Sequence, residues 1–287
     1  MSKLRRRLLI GSLIAALFVF YFPIISQRAV ILWDTYDYSY PLALLLRDSI
    51  RSGIFPLWNP FILSGEAMFA QPAVSAYHPF HLLVAIAPEW INSLYFFELL
   101  IIALPFIGAA GAFRLFRFLS YTFETSIAGG AIFGLTFVGP LLGQMSIAYG
   151  VCFFPWLARS ALILVRSDSF DWRRVSRTAL LGALFFWGTY FGIVLYAACF
   201  LAGLIILSLA RNFRILATLN LGAAAILVGM LVSPHLLPAA ENRSVFYSNI
   251  DSSFVSPDPR VRGVTLPEEH VVDIIPNERT LIGILLN

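Results

Sequence analysis

The chain has 287 residues, of which 59% are hydrophobic and 13% charged, and its formal net charge is +4. A soluble domain of this size needs more polar surface than this composition provides, so we expect the apolar excess to face lipid. The positive charges cluster between hydrophobic segments, which is typical of cytoplasmic loops and argues against nucleic-acid binding. Cys152 and Cys199 lie inside apolar stretches, which indicates packing rather than a disulfide or a metal framework.

Residues 1–26 predict a cytoplasmic N-terminus and an uncleaved first transmembrane helix. Basic residues precede an apolar run from Leu8 to Ile25. A cleaved signal peptide has a shorter apolar core, of ~7–15 residues, and ends at a small-residue cleavage site. This run is long enough to cross a bilayer and ends in bulky residues and a proline, so we expect it to remain as a membrane anchor.

The polar segment over residues 27–90 is predicted to form a large external loop. Pro41 suits the first turn of a helix, and Gly53 suits the position just past its end. These signals predict an amphipathic helix over residues 41–52 that lies along the membrane surface. The rest of the loop is rich in proline and aromatic residues. Because irregular chain cannot face lipid, we expect it to pack above the helix bundle.

The apolar segments that follow predict an all-α, polytopic transmembrane bundle over residues 91–233, with single spans at about 91–113, 126–142, 147–165 and 215–232. The stretch 178–210 is long for one span and short for two. Arginines at both of its ends favour a hairpin of helices, and the alternative is a single long helix. Inside the spans Glu98 is the ionisable residue that stands out, and this scarcity weighs against a proton-coupled carrier.

A second polar segment, residues 234–279, is predicted to form another external loop on the same side as the first. We expect the two loops to contribute to one site. The apolar run over residues 280–287 is too short to cross a membrane, since crossing needs ~20 apolar residues. We expect it to be the start of a further, truncated helix.

Asp34 and Asp37 are the leading candidates for chemistry, because they follow the outer end of the first span. An acid at this position can act as a general base on an acceptor hydroxyl, or help to hold a divalent metal near a phosphate. The alternative is that both are solvated loop acids, or that they cap the next helix. Tyrosines flank them, Tyr38 included, but tyrosine also favours the membrane interface by itself.

Two arginines are candidate ligands for a lipid phosphate, because a guanidinium group matches phosphate oxygens in a bidentate fashion. Arg243 lies just beyond the last predicted span and is the better candidate. Arg51 remains open, since it can instead pair with Asp48 on the same helix. We expect Arg47 to face lipid headgroups.

Trp58 and Asn59 lie in a turn between two prolines, where an aromatic ring beside a carboxamide suits sugar binding. The alternative is a buried structural turn. The four histidines show no spacing that compels a metal site. The complete set of predicted substrate-binding residues is Trp58, Asn59, Tyr38, Arg51, Arg243 and His78.

Several segments occur in a recognisable order: DTYDYSYP after the first span, GIFPLWNP and YHPF in the first loop, GQMSIAYGVCFFPWLARSALIL, and SPHLLPAAENRSVFYSN. Together they resemble the bacterial YfhO-like membrane proteins, over residues 33 to about 249. That family is similar to the clan C (GT-C) glycosyltransferases, multi-span enzymes that transfer sugar from a polyprenyl-phosphate carrier on the external face.

The resemblance implies a GT-C-like enzyme of the bacterial inner membrane, with a polyprenyl-phosphate-linked sugar as donor and an external lipid, cell-wall polymer or protein as acceptor. It points to Asp34 as the catalytic or metal-organising acid and to Asp37 as its nearest rival. A divalent metal (Mg²⁺ or Mn²⁺), if one takes part, would bind at Asp34. Membrane lipid is an expected partner and nucleic acid is not; the oligomeric state is left open.

Members of that family are typically longer and have more spans, so we expect this chain to be a truncated member. Two alternative interpretations stay open beside the enzyme. One is a non-catalytic relic or accessory membrane subunit, and the other is a transporter or lipid-handling protein.

Overall fold

The fold was obtained as a computed structural model, which describes residues 2–59, 66–68, 78–88, 90–188, 197–199, 201–203, 205–206 and 215–241. In this part of the chain the secondary structure is helical, apart from one pair of two-residue strands. Five of the helical segments are long and apolar enough to cross a membrane: Lys3–Ile25, Ser93–Phe118, Phe123–Gly143, Ile147–Val165 and Ile215–Pro234. The predicted helical membrane protein is confirmed at this level.

The first helix, α1, covers Lys3–Ile25 and begins where the Ser2 hydroxyl accepts a hydrogen bond from the Arg5 backbone N–H. It starts five residues before the predicted apolar run, because its basic first turn is also helical. Leu17 and Tyr21 are its buried side chains. Most of the surface of α1 is therefore left to face lipid.

Among the described residues, a π-helix, two α-helices and a pair of short strands lie between α1 and the next span. A π-helical segment covers Thr35–Ser39 and continues directly into α2, Tyr40–Arg51. The buried side chains of α2 (Leu42, Ala43 and Leu46) share one face, as the predicted amphipathic pattern requires. The strands β1, Trp58–Asn59, and β2, Glu66–Ala67, form an antiparallel pair, and helix α3 covers Pro79–Ile86.

Helices α4, Ser93–Phe118, and α6, Met145–Val165, pack against each other in the middle of the bundle. Gly111 of α4 allows this approach, because a Cβ atom there would lie 2.5 Å from the Trp156 ring. The Trp156 indole Nε1–H donates to the Ile107 carbonyl at 2.9 Å. Small residues and buried hydrogen bonds are the usual means by which helices associate in lipid.

The third span is not one regular helix. Helix α5, Phe123–Ile132, continues as a π-helix over Phe133–Val138 and as a 3₁₀-helix over Gly139–Gly143. Glycines face α4 here: a Cβ on Gly130 or Gly134 would lie 2.8 Å from a backbone carbonyl oxygen of α4. The sequence predicted a single span at about 126–142, but its apolar period does not reveal the change of helix type.

Helix α7 covers Trp172–Trp187 and ends at Gly188, whose backbone has φ −110° and ψ 19°. Asp171 caps its start by accepting hydrogen bonds from the N–H groups of Arg173 and Arg174. The stretch predicted as a hairpin or one long helix, 178–210, is thus interrupted at Gly188, which excludes a single uninterrupted helix. Residues 189–196 of that stretch lie outside the described residues.

The last described helix, α8, covers Ile215–Glu241 and passes the point at which the sequence predicted an external loop to begin. A proline inside a helix leaves the carbonyl four residues earlier without its usual donor. Here the Ser233 hydroxyl donates to that carbonyl, on Met230, at 2.8 Å. This bond replaces the missing one, and the helix continues through Pro234.

The helices run between two ends of the bundle. At one end, which we call the arginine end, Arg5 of α1 lies 3.6 Å from Glu124 of α5, and Asn220 of α8 binds the Ser169 carbonyl before α7. At the other, the loop end, Tyr95 of α4 donates to the Ile25 carbonyl at the end of α1 at 3.0 Å. The π-helix, α2, the strand pair and α3 all belong to the chain at the loop end.

Candidate functional site

The segment that carries Asp34 and Asp37 is held in a strained, well-anchored conformation. Trp33 has φ +69°, a left-handed value that is unfavourable for a bulky residue, by ~1–3 kcal/mol. Its carbonyl accepts hydrogen bonds from the N–H groups of Tyr36 and Asp37, at 2.8 and 2.9 Å. The buried Thr35 hydroxyl donates to the Leu142 carbonyl at 2.5 Å. These bonds fix the start of the π-helix to the end of the third span.

Asp34 and Asp37 both lie on the exposed side of this anchored segment. Asp34 occupies the position before the π-helix and makes no side-chain capping bond. The helix is instead secured by its buried residues, Thr35 and Ser39. A π-helical turn of this kind is uncommon and often occurs at functional sites. The two carboxylates are therefore presented to solvent from a rigid base at the loop end.

Asp34 and Asp37 could hold a divalent metal together with a substrate phosphate. Among the described residues, no group of three or more histidine, cysteine, aspartate or glutamate side chains is placed to hold a metal ion. Two carboxylates fit the usual environment of Mg²⁺, which takes one or two protein carboxylates together with substrate phosphate oxygens and water. Asp34 and Asp37 could serve as these two ligands.

Tyr38, Leu42 and Met68 form one small packed unit, and Met68 directly follows the strand pair that holds Trp58 and Asn59. The strand pair aligns Trp58 with Ala67 and Asn59 with Glu66. The next residue, Met68, is buried against Leu42 of α2, and Tyr38 packs against the same two side chains. Asn59 is 3% exposed. Tyr38 thus packs against Met68, which directly follows the strand pair that holds Trp58 and Asn59.

His78 is buried completely and caps the start of α3, where its Nδ1 accepts a hydrogen bond from the Phe80 N–H at 3.3 Å. Its ring stacks on Tyr149 of α6, with centroids 4.0 Å apart and planes inclined by 11°. Nε2 is buried without a hydrogen-bond partner. The Leu184 backbone raises the pKa of the ring, but by less than burial lowers it. Burial, and then the nearby His81, hold the pKa of His78 well below its ordinary value. This arrangement favours a structural role over contact with substrate.

The arginines of α2 bind neighbouring helices. Arg47 donates to the Ser93 hydroxyl at the start of α4 and pairs with Asp48 at 2.7 Å. Arg51 donates to the Ala87 carbonyl at the end of α3. Arg51 is eleven residues after Tyr40 along α2, a distance of roughly 16 Å. The structure therefore does not bring Arg51 to the aspartates. Arg243 lies outside the described residues.

Glu98 and Arg159 are charged residues that lie inside described spans, away from the span ends, and the sequence prediction found only Glu98. Glu98 of α4 is buried and accepts a hydrogen bond from the Ile31 N–H at 3.0 Å. Arg159 of α6 was missed, although its position in the apolar segment FPWLARSALIL is a signal of function. Its Nε is buried and has no hydrogen-bond partner.

No family model matches the sequence, and neither the curated proteins nor the solved structures contain a significant match to it. The interpretation of the loop end therefore depends on the residues and contacts described above.

Proposed function

We propose that the protein is an integral membrane glycosyltransferase of the GT-C type, which transfers a sugar from a polyprenyl-phosphate carrier to an external acceptor. The observation that carries this proposal is the presentation of Asp34 and Asp37. Both carboxylates are exposed in the segment between α1 and α2. Asp34 lies just before the π-helix Thr35–Ser39 and Asp37 lies on it, and the strained start of this helix is bound to the third span at Leu142. Rigid support for exposed acids is expected where they act on a substrate.

The layout suits a donor that is carried by a lipid. The polyprenyl chain would lie between spans, and its phosphate would remain at the membrane surface near the loop end. Water and acceptor reach the same surface from outside. The packed unit of Tyr38, Leu42 and Met68 lies in this region, and Tyr38, the residue after Asp37, offers an aromatic ring. Aromatic rings are common partners for sugars because they stack on the sugar face.

In the proposed reaction, Asp34 acts as the general base. Its carboxylate accepts the proton of an acceptor hydroxyl, whose oxygen then bonds to the anomeric carbon of the donor sugar. The bond between that carbon and the phosphate oxygen breaks, and the polyprenyl phosphate leaves with the electron pair. Asp37 would orient the acceptor, or share a divalent metal with Asp34 and the phosphate.

The position of Glu98 supports an enzyme over a proton-coupled transporter. A carboxylate in an ion pathway is expected to face a cavity or an ionisable partner. Glu98 instead binds the Ile31 backbone N–H. This contact ties the segment after α1 to α4, which gives Glu98 a structural role below the proposed site.

The proposal is tested by transfer of label from radiolabelled polyprenyl-phosphate glucose and mannose in membranes that contain the full chain. We expect Asp34→Asn to lower the transfer rate by roughly 100-fold or more, as is usual when a general base is removed. Glu124→Gln is the matched control, because Glu124 is an exposed acid at the arginine end. It should leave the rate unchanged.

Two results would count against the proposal. Equal transfer by the wild-type protein and Asp34→Asn would exclude Asp34 as the base. No transfer by a wild-type protein that elutes as a folded, monodisperse species would contradict a transferase that uses these donors.

A further inference from the structure

The arginine end contains three arginines that come from three different helices and meet at one place. They are Arg114 of α4, Arg159 of α6 and Arg177 of α7. The charges of Arg114 and Arg177 both act on the guanidinium group of Arg159. Among the described residues, none of the three forms an ion pair with a carboxylate. The nearby Asp171 is paired with a different arginine, Arg174, at 2.8 Å.

Helix packing holds these arginines in position. Trp156 lies against Gly111, and one helical turn further along each helix come Arg159 and Arg114. The Arg114 guanidinium lies over the Trp156 ring, 4.9 Å from its centroid. The contact that brings α4 and α6 together therefore also brings their arginines together.

A second contact places Arg177 beside them. The hydroxyl groups of Ser160 and Thr178 are joined by a buried hydrogen bond of 2.7 Å between α6 and α7. Arg159 directly precedes Ser160, and Arg177 directly precedes Thr178. The α6–α7 contact thus fixes the spacing of these two arginines as well.

The arrangement is unfavourable unless an anion completes it. Three like charges repel one another, and the repulsion is larger at the edge of a membrane than in water, because the dielectric constant is lower. The Nε atom of Arg159 is buried without a hydrogen-bond partner, which adds a further cost. Exposed arginines that only orient a membrane protein have no reason to converge or to bury a donor. A phosphate group would accept hydrogen bonds from the Arg159 guanidinium group, and its negative charge would offset the repulsion among the arginines.

The depth of the site indicates where the anion comes from. Arg159 lies six residues before the end of α6 at Val165, or roughly 9 Å along the helix. It is therefore within the span Ile147–Val165, and we expect the headgroup of an anionic lipid to approach it from the membrane surface. The Phe118 ring lies 5.7 Å from the Arg159 guanidinium and offers an apolar neighbour for lipid chains.

We propose that Arg114, Arg159 and Arg177 form a binding site for the phosphate of an anionic phospholipid, taken from the leaflet at the arginine end. Basic sites between transmembrane helices are a known means of binding such headgroups. The site lies at the opposite end of the bundle from Asp34, so it is independent of the proposed transferase activity. A bound lipid would stabilise the packing of α4, α6 and α7.

The test uses the full-length protein purified in detergent and titrated with short-chain phosphatidylglycerol, short-chain phosphatidylcholine or inorganic phosphate. Bound lipid is counted by native mass spectrometry, and the melting temperature is followed in parallel. We expect phosphatidylglycerol to bind at least tenfold more tightly than phosphatidylcholine and to raise the melting temperature. Inorganic phosphate at the same concentrations should not do so.

Variants locate the site. Arg159→Gln should weaken phosphatidylglycerol binding by about fivefold or more, as expected for each basic group near an anionic headgroup. Arg177→Gln should weaken phosphatidylglycerol binding to a similar extent. Because Arg177 is exposed, this variant provides the test if Arg159→Gln does not fold. Arg173→Gln is the control, because Arg173 is exposed one turn before Arg177 on α7 but is not one of the three arginines of the proposed site. It should bind as the wild type does.

Three results would overturn the proposal. These are equal binding of phosphatidylglycerol and phosphatidylcholine, equal binding by the wild type and the Arg177→Gln variant, and full stabilisation by inorganic phosphate alone. The last result would assign the site to a soluble phosphate compound instead of a lipid.

Discussion

At the scale of single residues, His78 shows how burial changes the chemistry available to a side chain. It was a candidate substrate ligand, yet its ring is enclosed between α3 and α6 and stacked on Tyr149. The depressed pKa follows from this enclosure, because a buried ring is costly to charge. His78 is therefore neutral in the folded protein under conditions in which a free histidine begins to take up a proton.

This difference predicts a pH dependence of stability. The pKa of His78 is lower in the folded state than the ordinary value of 6.5 that applies when the chain is unfolded. Above pH 6.5 both states are neutral and the contribution of His78 is fully present. As the pH falls below 6.5, only the unfolded state binds the proton, so folding loses up to about 1.4 kcal/mol per pH unit.

The measurement compares the melting temperature of the wild type and His78→Phe in detergent at pH 7.5 and 5.5. Phenylalanine retains the stacked ring but cannot bind a proton. We expect the wild type to lose more thermal stability between the two pH values than the variant does. Equal losses would show that His78 does not contribute to acid sensitivity.

At the scale of elements, the end of α7 is determined by a contact with α6. The Gly188 carbonyl accepts a hydrogen bond from the Gly150 N–H at 2.6 Å. A Cβ atom on Gly188 would lie 2.3 Å from the Tyr149 Cβ and 2.9 Å from the Gly150 nitrogen. Both of these neighbours are close to the backbone and cannot move aside easily. Glycine is thus required at position 188 because the end of α7 lies so close to the backbone of α6.

Gly188→Ala is therefore expected to destabilise the protein by about 1–3 kcal/mol, as overpacking usually does. Gly222→Ala is the control, because a Cβ at Gly222 of α8 meets no atom within 4 Å. The control should be neutral or slightly stabilising, since alanine favours a helix over glycine. Melting temperatures of both variants provide the check, and a fall for Gly222→Ala equal to that for Gly188→Ala would contradict the assignment.

The elements differ in how well the sequence predicts them. The long spans are predictable because length and hydropathy alone define them, and α2 is predictable from its apolar period and the flanking Pro41 and Gly53. The continuation of α8 through Pro234 is not, because it depends on the Ser233 hydroxyl. The two π-helices and the strand pair also arise from tertiary contacts, such as that of Thr35 with Leu142, which no local period records.

The candidate site could be predicted only in part, because some of its features depend on tertiary contacts that the sequence pattern does not record. Asp34 and Asp37 could be found because two acids after an apolar span stand out in a chain with few charges. The capping role of His78 and the use of Arg51 to bind α3 could not, because both depend on where α3 packs. Arg159 carried a readable signal, a charge within a span, but its convergence with Arg114 and Arg177 needs the three-dimensional structure.

At the scale of the whole molecule, the spans separate two chemically different ends. The arginine end holds the cluster of basic residues around α4, α6 and α7, while the loop end holds Asp34, Asp37 and the packed unit with Met68. Basic residues favour the cytoplasmic side of a membrane. We therefore expect the loop end to face outward.

This orientation can be measured by labelling single cysteines with a membrane-impermeant maleimide. In a background with Cys152→Ala and Cys199→Ala, Ser52→Cys reports the loop end and Ser169→Cys reports the arginine end; both positions are exposed. In intact cells we expect label on Ser52→Cys alone, and on both after the membrane is opened. Label on Ser169→Cys in intact cells would reverse the orientation and remove the external site.

The lightly buried first helix has a consequence for how the protein is made. Leu17 lies near Gly134 and Tyr21 near Gly139, and both glycines belong to the third span and are synthesised more than 100 residues after the end of α1. Because α1 otherwise presents apolar side chains to lipid, it can enter the bilayer and wait there without a protein partner. The segment that carries the aspartates is fixed only after the third span has been synthesised and inserted, when the Thr35 hydroxyl can donate its hydrogen bond to the Leu142 carbonyl. A protein halted during synthesis before the third span would be anchored in the membrane, with its aspartates not yet fixed in place.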